Sequence, residues 1–223
     1  MQQNLRRILS NSFLYNMLDE RELDVVQQAT RPIRATGNTS VINQGDPAKG
    51  MYLIVYGQVR IGFDVPQGGE KTLAILGQNK CFGLGEMLLD RCHLAFVKTT
   101  ADSMILHTSR DSILNVARTN FTFARELMDC MGRQFYTLVR DVESYSLQTA
   151  RQRLAGYLLR QRQYQANDVI ELIASKTLIA SRLSLTPETL SRLFRDFAAD
   201  GLINVAGRRI EILDCERLGA VLN

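Results

Sequence analysis

Hydrophobic positions along the 223-residue chain change their period twice, and each change predicts a change of architecture. Over residues 1–30, Leu5, Ile8 and Leu9, then Leu14 and Leu18, then Leu23, Val26 and Ala29 recur at helical spacing and predict three short helices. Asp19 with Glu22 predicts a capping box on the third. From about residue 31 the pattern alternates. Segments 41–42, 51–56, 59–63, 72–76, 95–100 and 104–107 are strand-sized, with Gly37-Asn38, Gly45-Asp46-Pro47, Gly57 and Gly77 between them. Pro66-Gln67-Gly68-Gly69 reads as a hairpin tip, because glycine supplies the positive φ of such turns. Short strands at this spacing predict a small antiparallel roll or barrel.

After a short helix at 111–117 the period is helical again. Ala124, Met128, Met131, Phe135, Leu138, Val142 and Tyr145 are spaced 4, 3, 4, 3, 4, 3, the seam of a coiled-coil pair. A long helix from about Thr119 that pairs in parallel with a second copy is therefore expected. Leu147, Ala150, Leu154, Tyr157 and Leu158 predict a further helix, Gln161 to Asp168 a polar loop, and Val169 to Ile173 a strand. Ser175 caps a helix over 176–183, Ser184-Leu185 turns the chain, and Thr186 caps a second helix whose first position is Pro187. Residues 202–205 and 209–213 then flank Ala206-Gly207-Arg208 as a hairpin. The fold class is α+β. Its domains are a β-roll with flanking helices at 1–118, a dimerisation helix at 119–146 and a winged helix-turn-helix at 147–223.

The helix after Thr186 carries the chemistry. Leu190, Leu193, Phe194 and Phe197 make a stripe to be buried, and Glu188, Ser191, Arg192 and Arg195 occupy the opposite face. Arg192 suits guanine O6 and N7, Glu188 a cytosine amino group, and Ser191 either kind of base edge. Ser175, Lys176, Thr177, Thr186, Thr189, Arg195 and Arg208 are placed for phosphate contacts, which position without specifying. Double-stranded DNA is the expected partner.

Net charge sharpens this modestly. Of the formal +4, residues 147–223 contribute +3, with 11 Lys and Arg against 8 Asp and Glu. A polyanion partner favours that distribution. No window approaches the ~18 apolar residues of a membrane span, and the segment after Arg6 and Arg7 is too polar for a signal peptide. A cytoplasmic protein is expected. Cys81, Cys92, Cys130 and Cys215 have no metal-binding spacing and read as unpaired, mostly buried thiols. No nucleophile–base pair or phosphate loop is visible, so an enzyme is not expected.

The run Gly37-x4-Ile42-x2-Gly45-Asp46-x4-Met51-Tyr52-Leu53-Ile54-x2-Gly57-x-Val59 resembles the front of the cyclic-nucleotide-binding β-roll, and the whole chain resembles the CRP/FNR family of bacterial transcription regulators. The resemblance implies a homodimer acting with RNA polymerase. Glu188-x-x-Ser191-Arg192 is similar to the FNR-like arrangement, which implies an inverted repeat near TTGAT-N4-ATCAA. Nucleotide binders of the family carry a Glu and, about ten residues on, Arg-Ser/Thr. Leu84, His93 and Leu94 occupy those places here, with Glu86 two residues late, so cyclic-nucleotide control is not expected. A nucleotide-binding regulatory module is the alternative reading. The absence of cysteine from residues 1–80 removes an N-terminal iron–sulfur cluster. The chain looks most like the Dnr-type branch, which implies a nitric-oxide signal with haem as candidate cofactor; His93 and Cys81 are its candidate ligands. A different small apolar effector and thiol redox chemistry stay open.

Overall fold

The computed structural model describes residues 2–66 and 68–222, so Gln67 of the hairpin tip lies outside the described residues. The chain forms two compact units, Met1–Tyr136 and Thr137–Asn223.

In the first unit, α1 (Gln2–Ser10) and α2 (Glu20–Gln28) precede the roll. The capping box forms: Asp19 accepts from the Glu22 N–H at 2.8 Å and Glu22 accepts from the Asp19 N–H at 3.0 Å. The middle helix expected at 14–18 is instead a turn, and its Leu14 and Tyr15 are buried plugs of the core. Strands β1 (Thr30–Ala35), β2 (Ser40–Ile42), β3 (Gly50–Tyr56), β4 (Val59–Asp64), β5 (Glu70–Leu76) and β6 (Cys81–Phe82) follow. Next come α3 (Leu84–Leu89), β7 (Phe96–Thr99), β8 (Ser103–Ser109) and α4 (Arg110–Thr119). The strands build two antiparallel sheets, ordered β1-β8-β3-β6 and β2-β7-β4-β5.

Two cores share the first sheet. Ile54 and Ile105 face inward onto Ile42, Val59, Phe82 and Val97 of the roll. Met51, Leu53 and Leu106 point the other way, onto Leu9, Leu23, Val26, Ile113 and Val116 of the helices. Successive strand residues face opposite sides, so β3 is apolar at nearly every position and β8 is apolar through Met104, Ile105 and Leu106.

The unit boundary falls within α5 (Phe121–Leu147). In the first unit its Phe123, Leu127 and Cys130 are buried in the helix-facing core. The second unit continues with α6 (Ala150–Gln165), β9 (Val169–Glu171), α7 (Lys176–Arg182) and α8 (Pro187–Ala199). It ends with β10 (Ile203–Ala206), β11 (Arg209–Ile212) and α9 (Cys215–Ala220), and its sheet order is β10-β11-β9. The polar loop expected from Gln161 is helical as far as Gln165. Arg and Gln are good helix formers, and their polarity marked an exposed face rather than a break. The strand expected at 169–173 stops at Glu171.

Candidate DNA-reading face and roll cavity

In the second unit, α7 and α8 form the helix-turn-helix. Ser175 Oγ accepts from the Leu178 N–H at 3.3 Å, and Thr186 Oγ1 accepts from the Thr189 N–H at 3.2 Å. Between the helices Ser184 takes a left-handed φ of 55°, and the Leu185 N–H donates to the Ala180 carbonyl at 2.9 Å. Ala180, Leu183, Leu190, Leu193, Phe194 and Phe197 are buried, which fixes the orientation of α8. Burial of its apolar stripe leaves Glu188, Ser191, Arg192 and Arg195 together on the exposed face.

The face is partly preorganised. Hydrogen bonds from the Glu188 N–H and the Thr186 hydroxyl hold the Glu188 carboxyl below its ordinary value, so it stays an acceptor. Ser191 Oγ donates to the Pro187 carbonyl at 2.8 Å, which leaves its lone pairs available to a base. Ser175, Thr177, Thr186 and Arg208 are exposed, while Lys176 and Thr189 are half-buried. Lys176 Nζ lies 5.2 Å from the Phe194 ring centroid, so that ring restrains its stem. Arg208 Nη2 donates to the Leu172 carbonyl at 3.1 Å, which anchors the wing.

A support absent from the sequence reading lies behind this face. Arg182, in the last turn of α7, donates to both carboxylate oxygens of Asp141 on α5, at 3.1 and 3.3 Å. Tyr145 donates from its hydroxyl to the Arg182 carbonyl at 2.5 Å. Tyr145, expected in the dimer seam, is therefore half-buried against α7 in the single chain. Asp141 and Tyr145 are one helical turn apart, the only sequence signal that could have paired them.

The other seam residues are placed otherwise. Ala124 is half-buried, and Met128, Met131, Phe135, Leu138 and Val142 are exposed, Phe135 at 68%. Helix α5 thus carries two stripes, one buried at 123/127/130 and one open at 128/131/135/138/142. Gly132 meets nothing within 4 Å.

In the first unit, a cavity of about 350 Å³ opens at the end of the roll. Arg31, His107 and Tyr52 share one rung across β1, β8 and β3, and Lys49 and His93 reach in from flanking loops. Of the expected effector positions Leu84, Glu86, His93 and Leu94, only His93 lines it. Leu84 is fully buried in the core, Leu94 is exposed, and Glu86 stands behind His93 with Oε1 4.0 Å from Nδ1. Side-chain direction within α3, which the sequence reading lacked, accounts for this. Gly50 lets the strand pass close: an added Cβ would lie 2.2 Å from the Thr108 carbonyl oxygen and 2.5 Å from His107 Nε2.

Burial holds both imidazoles below their ordinary value. Arg31 and His93 add to the effect at His107, whereas Glu86 and Asp46 oppose it at His93. Burial also pushes the Tyr52 hydroxyl up, so it keeps its proton. A haem on His93 and Cys81 does not fit. Cys81 packs in the helix-facing core near Cys130, not in the cavity, and a porphyrin with its propionates needs more room than about 350 Å³.

The thiols are unpaired, but only Cys81 and Cys130 are buried; Cys92 is exposed and Cys215 half-buried. Gln134 Nε2 donates to the Cys81 carbonyl at 3.1 Å, and Arg133 Nη2 to Cys130 Sγ at 3.3 Å. A hydrogen bond from Cys81, together with Arg133, brings the Cys130 thiol down to about 7, and the same partnership pushes Cys81 up. No group of three or more metal-ligating side chains occurs among the described residues, and no described helix is long and apolar enough to cross a membrane.

A nucleotide-type β-roll followed by a winged helix-turn-helix defines a DNA-binding transcription regulator. Residues 33–120 match the cyclic nucleotide-binding domain, and residues 152–221 the Crp-like helix-turn-helix domain. The CRP-like cAMP-activated global transcriptional regulator of Mycobacterium tuberculosis is 22% identical over 216 residues, 95% of this chain and 96% of that protein. The transcriptional activator protein FnrA of Stutzerimonas stutzeri is 26% identical, over 89% of this chain and 82% of that protein. The crystal structure of DNR from Pseudomonas aeruginosa superimposes with a TM-score of 0.52 at 27% identity, over 99% of both chains. The chain belongs to the CRP/FNR family of transcription regulators, and its relatives are regulators rather than enzymes.

Proposed function

We propose that two copies pair through the open stripe of α5 and read an inverted repeat near TTGAT-N4-ATCAA. The observation that carries this is the exposed set Glu188, Ser191, Arg192 and Arg195 on a helix locked by its buried face. Arg192 reads guanine, Glu188 accepts from cytosine and Ser191 contacts a neighbouring base. Ser175, Lys176, Thr177, Thr186, Thr189, Arg195 and Arg208 hold phosphates and set the register. Pairing brings two α8 helices one DNA turn apart, about 34–36 Å, which matches the two half-sites. The bound dimer acts on transcription through RNA polymerase in the cytoplasm.

The roll is the sensory half, and the two-state element is α5, which joins it to the reading unit. Cyclic nucleotide is the second reading, favoured by the domain match and by the cAMP-activated relative. Against it, Leu84 is buried core, Leu94 faces solvent and His93 is a buried imidazole held neutral, so the place where nucleotide-binding relatives carry their arginine holds no positive charge. Selection of bound duplexes from a random pool by the full-length protein tests the DNA reading. Recovery of the inverted TTGAT repeat is expected, and recovery of unrelated sequence would sink it.

A further inference from the structure

Six polar side chains, Asp46 among them, converge at the open end of the roll, and their balance of charge and hydrogen bonding selects a ligand. Arg31, on the rung shared with His107 and Tyr52, is exposed, as is Lys49 in the loop before β3. Neither cation has an ion pair among the described residues. The one lining carboxylate, Asp46, is already occupied: its Oδ2 accepts from the Asn43 N–H at 2.8 Å and from Asn43 Nδ2 at 3.3 Å. The lining therefore carries two positive charges against the single negative charge of Asp46, a net positive balance.

The inner end is neutral and polar. His93 is 4% exposed, yet its Nε2 has no hydrogen-bond partner. Its backbone is clamped by hydrogen bonds of 2.8 Å to Asp46 and from Gly45, which fixes the point from which the ring projects. A buried ring nitrogen left unpaired is costly, and buried polar groups ordinarily have a partner. His93 is one of the residues that line the cavity, and its unpartnered nitrogen lies buried beside it. Ile33, Ile42 and the Tyr52 ring, stacked on Phe82 at 4.9 Å, supply apolar wall between the cationic mouth and His93. The volume, about 350 Å³, is that of a small-molecule site.

We infer that this roll-end cavity binds a small organic carboxylate, its anionic end on Arg31 and Lys49, its apolar body along Ile33 and Tyr52, and a hydrogen-bonding group on His93 Nε2. The inference rests on reading the roll as the sensory half. It adds the ligand's chemistry and a position defined by Arg31, Lys49 and His107, none of which the motif comparison pointed to. A metal cation is disfavoured by the two positive charges. A purely apolar ligand would leave both cations and His93 Nε2 unsatisfied.

With two histidines in the chain, ring-labelled histidine gives two assignable sets of signals in the full-length protein. The probes are benzoate and isovalerate, with benzamide and isovaleramide as uncharged matches and inorganic phosphate as a bare anion. At least one carboxylate should shift the His93 ring signals saturably, the amides should not, and phosphate should give only weak, non-saturating shifts. Arg31→Gln and Lys49→Gln should each weaken that carboxylate tenfold or more. Failure of both carboxylates to move His93, equal binding of the amides, or unchanged affinity in both variants would overturn the inference. Specific DNA binding by the same variants is read in parallel. Its loss together with ligand-independent behaviour throughout would count against the sensory reading itself, whereas its retention confines any failure to the carboxylate.

Discussion

Arg182 and Asp141 hold the base of the reading unit together: the guanidinium at the end of α7 donates to both oxygens of a carboxylate on α5, at 3.1 and 3.3 Å. The side chains are 19% and 15% exposed, so solvent screens them less than an open surface pair. Tyr145 adds a hydrogen bond to the Arg182 carbonyl from one turn further along α5. This part of α5 is thereby tied directly to the first helix of the helix-turn-helix.

Arg182→Ala should remove about 2 kcal/mol from the stability of the second unit, the scale of a charge-assisted hydrogen-bonded pair. It should weaken binding to all duplexes while leaving base preference unchanged. Chemical denaturation and binding to a half-site mutant series check the two parts. An altered base preference would mean that Arg182 touches DNA itself.

Arg192→Ala should cost about 1–3 kcal/mol on the matched duplex and relax discrimination at one position. Arg195→Ala should act differently, lowering affinity for all sequences and reducing the salt slope by about 1. Titrations of matched and scrambled duplexes across ionic strength separate the two. Equal losses on both duplexes for Arg192→Ala would remove it from base reading, and the same result for Glu188→Ala would remove Glu188.

Phe135 is 68% exposed in the single chain, so Phe135→Glu should leave each unit folded by circular dichroism. Sedimentation should then show a monomer, and binding to the inverted repeat should fall with it. A variant that sediments as a dimer and binds normally would refute pairing through this stripe.

The roll should lose stability in mild acid. His93 and His107 are both held below the ordinary imidazole value of about 6.5, so below that pH the unfolded chain takes up protons that the folded roll resists. Their contribution is intact above about 6.5 and is lost as pH falls through the folded values. Melting temperature measured against pH should therefore drop below about 6.5, and less steeply in a His93→Gln, His107→Gln variant. Parallel curves for the two proteins would show that other groups carry the acid transition.

The reading helix was legible in the sequence because its signals are local: Thr186 as cap, Pro187 in the first turn and an apolar stripe at 190/193/194/197. The strands of the roll were legible from alternation, and the two-sided burial of β3 and β8 explains why their runs looked continuous. The cavity was not legible. Arg31, Lys49, Tyr52, His93 and His107 come from distant segments and meet only through strand register and loop packing. The same limit hid the Asp141–Arg182 pair, while the motif resemblance pointed to Leu84 on α3 and Leu94 in the loop after it without giving the direction of either side chain.

Every residue from Met131 to Arg140 is exposed in the single chain, a run of 10 beginning directly after the last residue that the first unit's core holds. On the proposed pairing, a helix so sparsely covered gains its cover from a second copy, so assembly and abundance become one variable. When separate chains prevail, occupancy of the operator on this reading grows with the square of chain concentration. A modest rise in synthesis would then open or close its genes more sharply than a one-chain reader could. On that pairing, the amount of protein made acts as an input alongside any ligand of the roll.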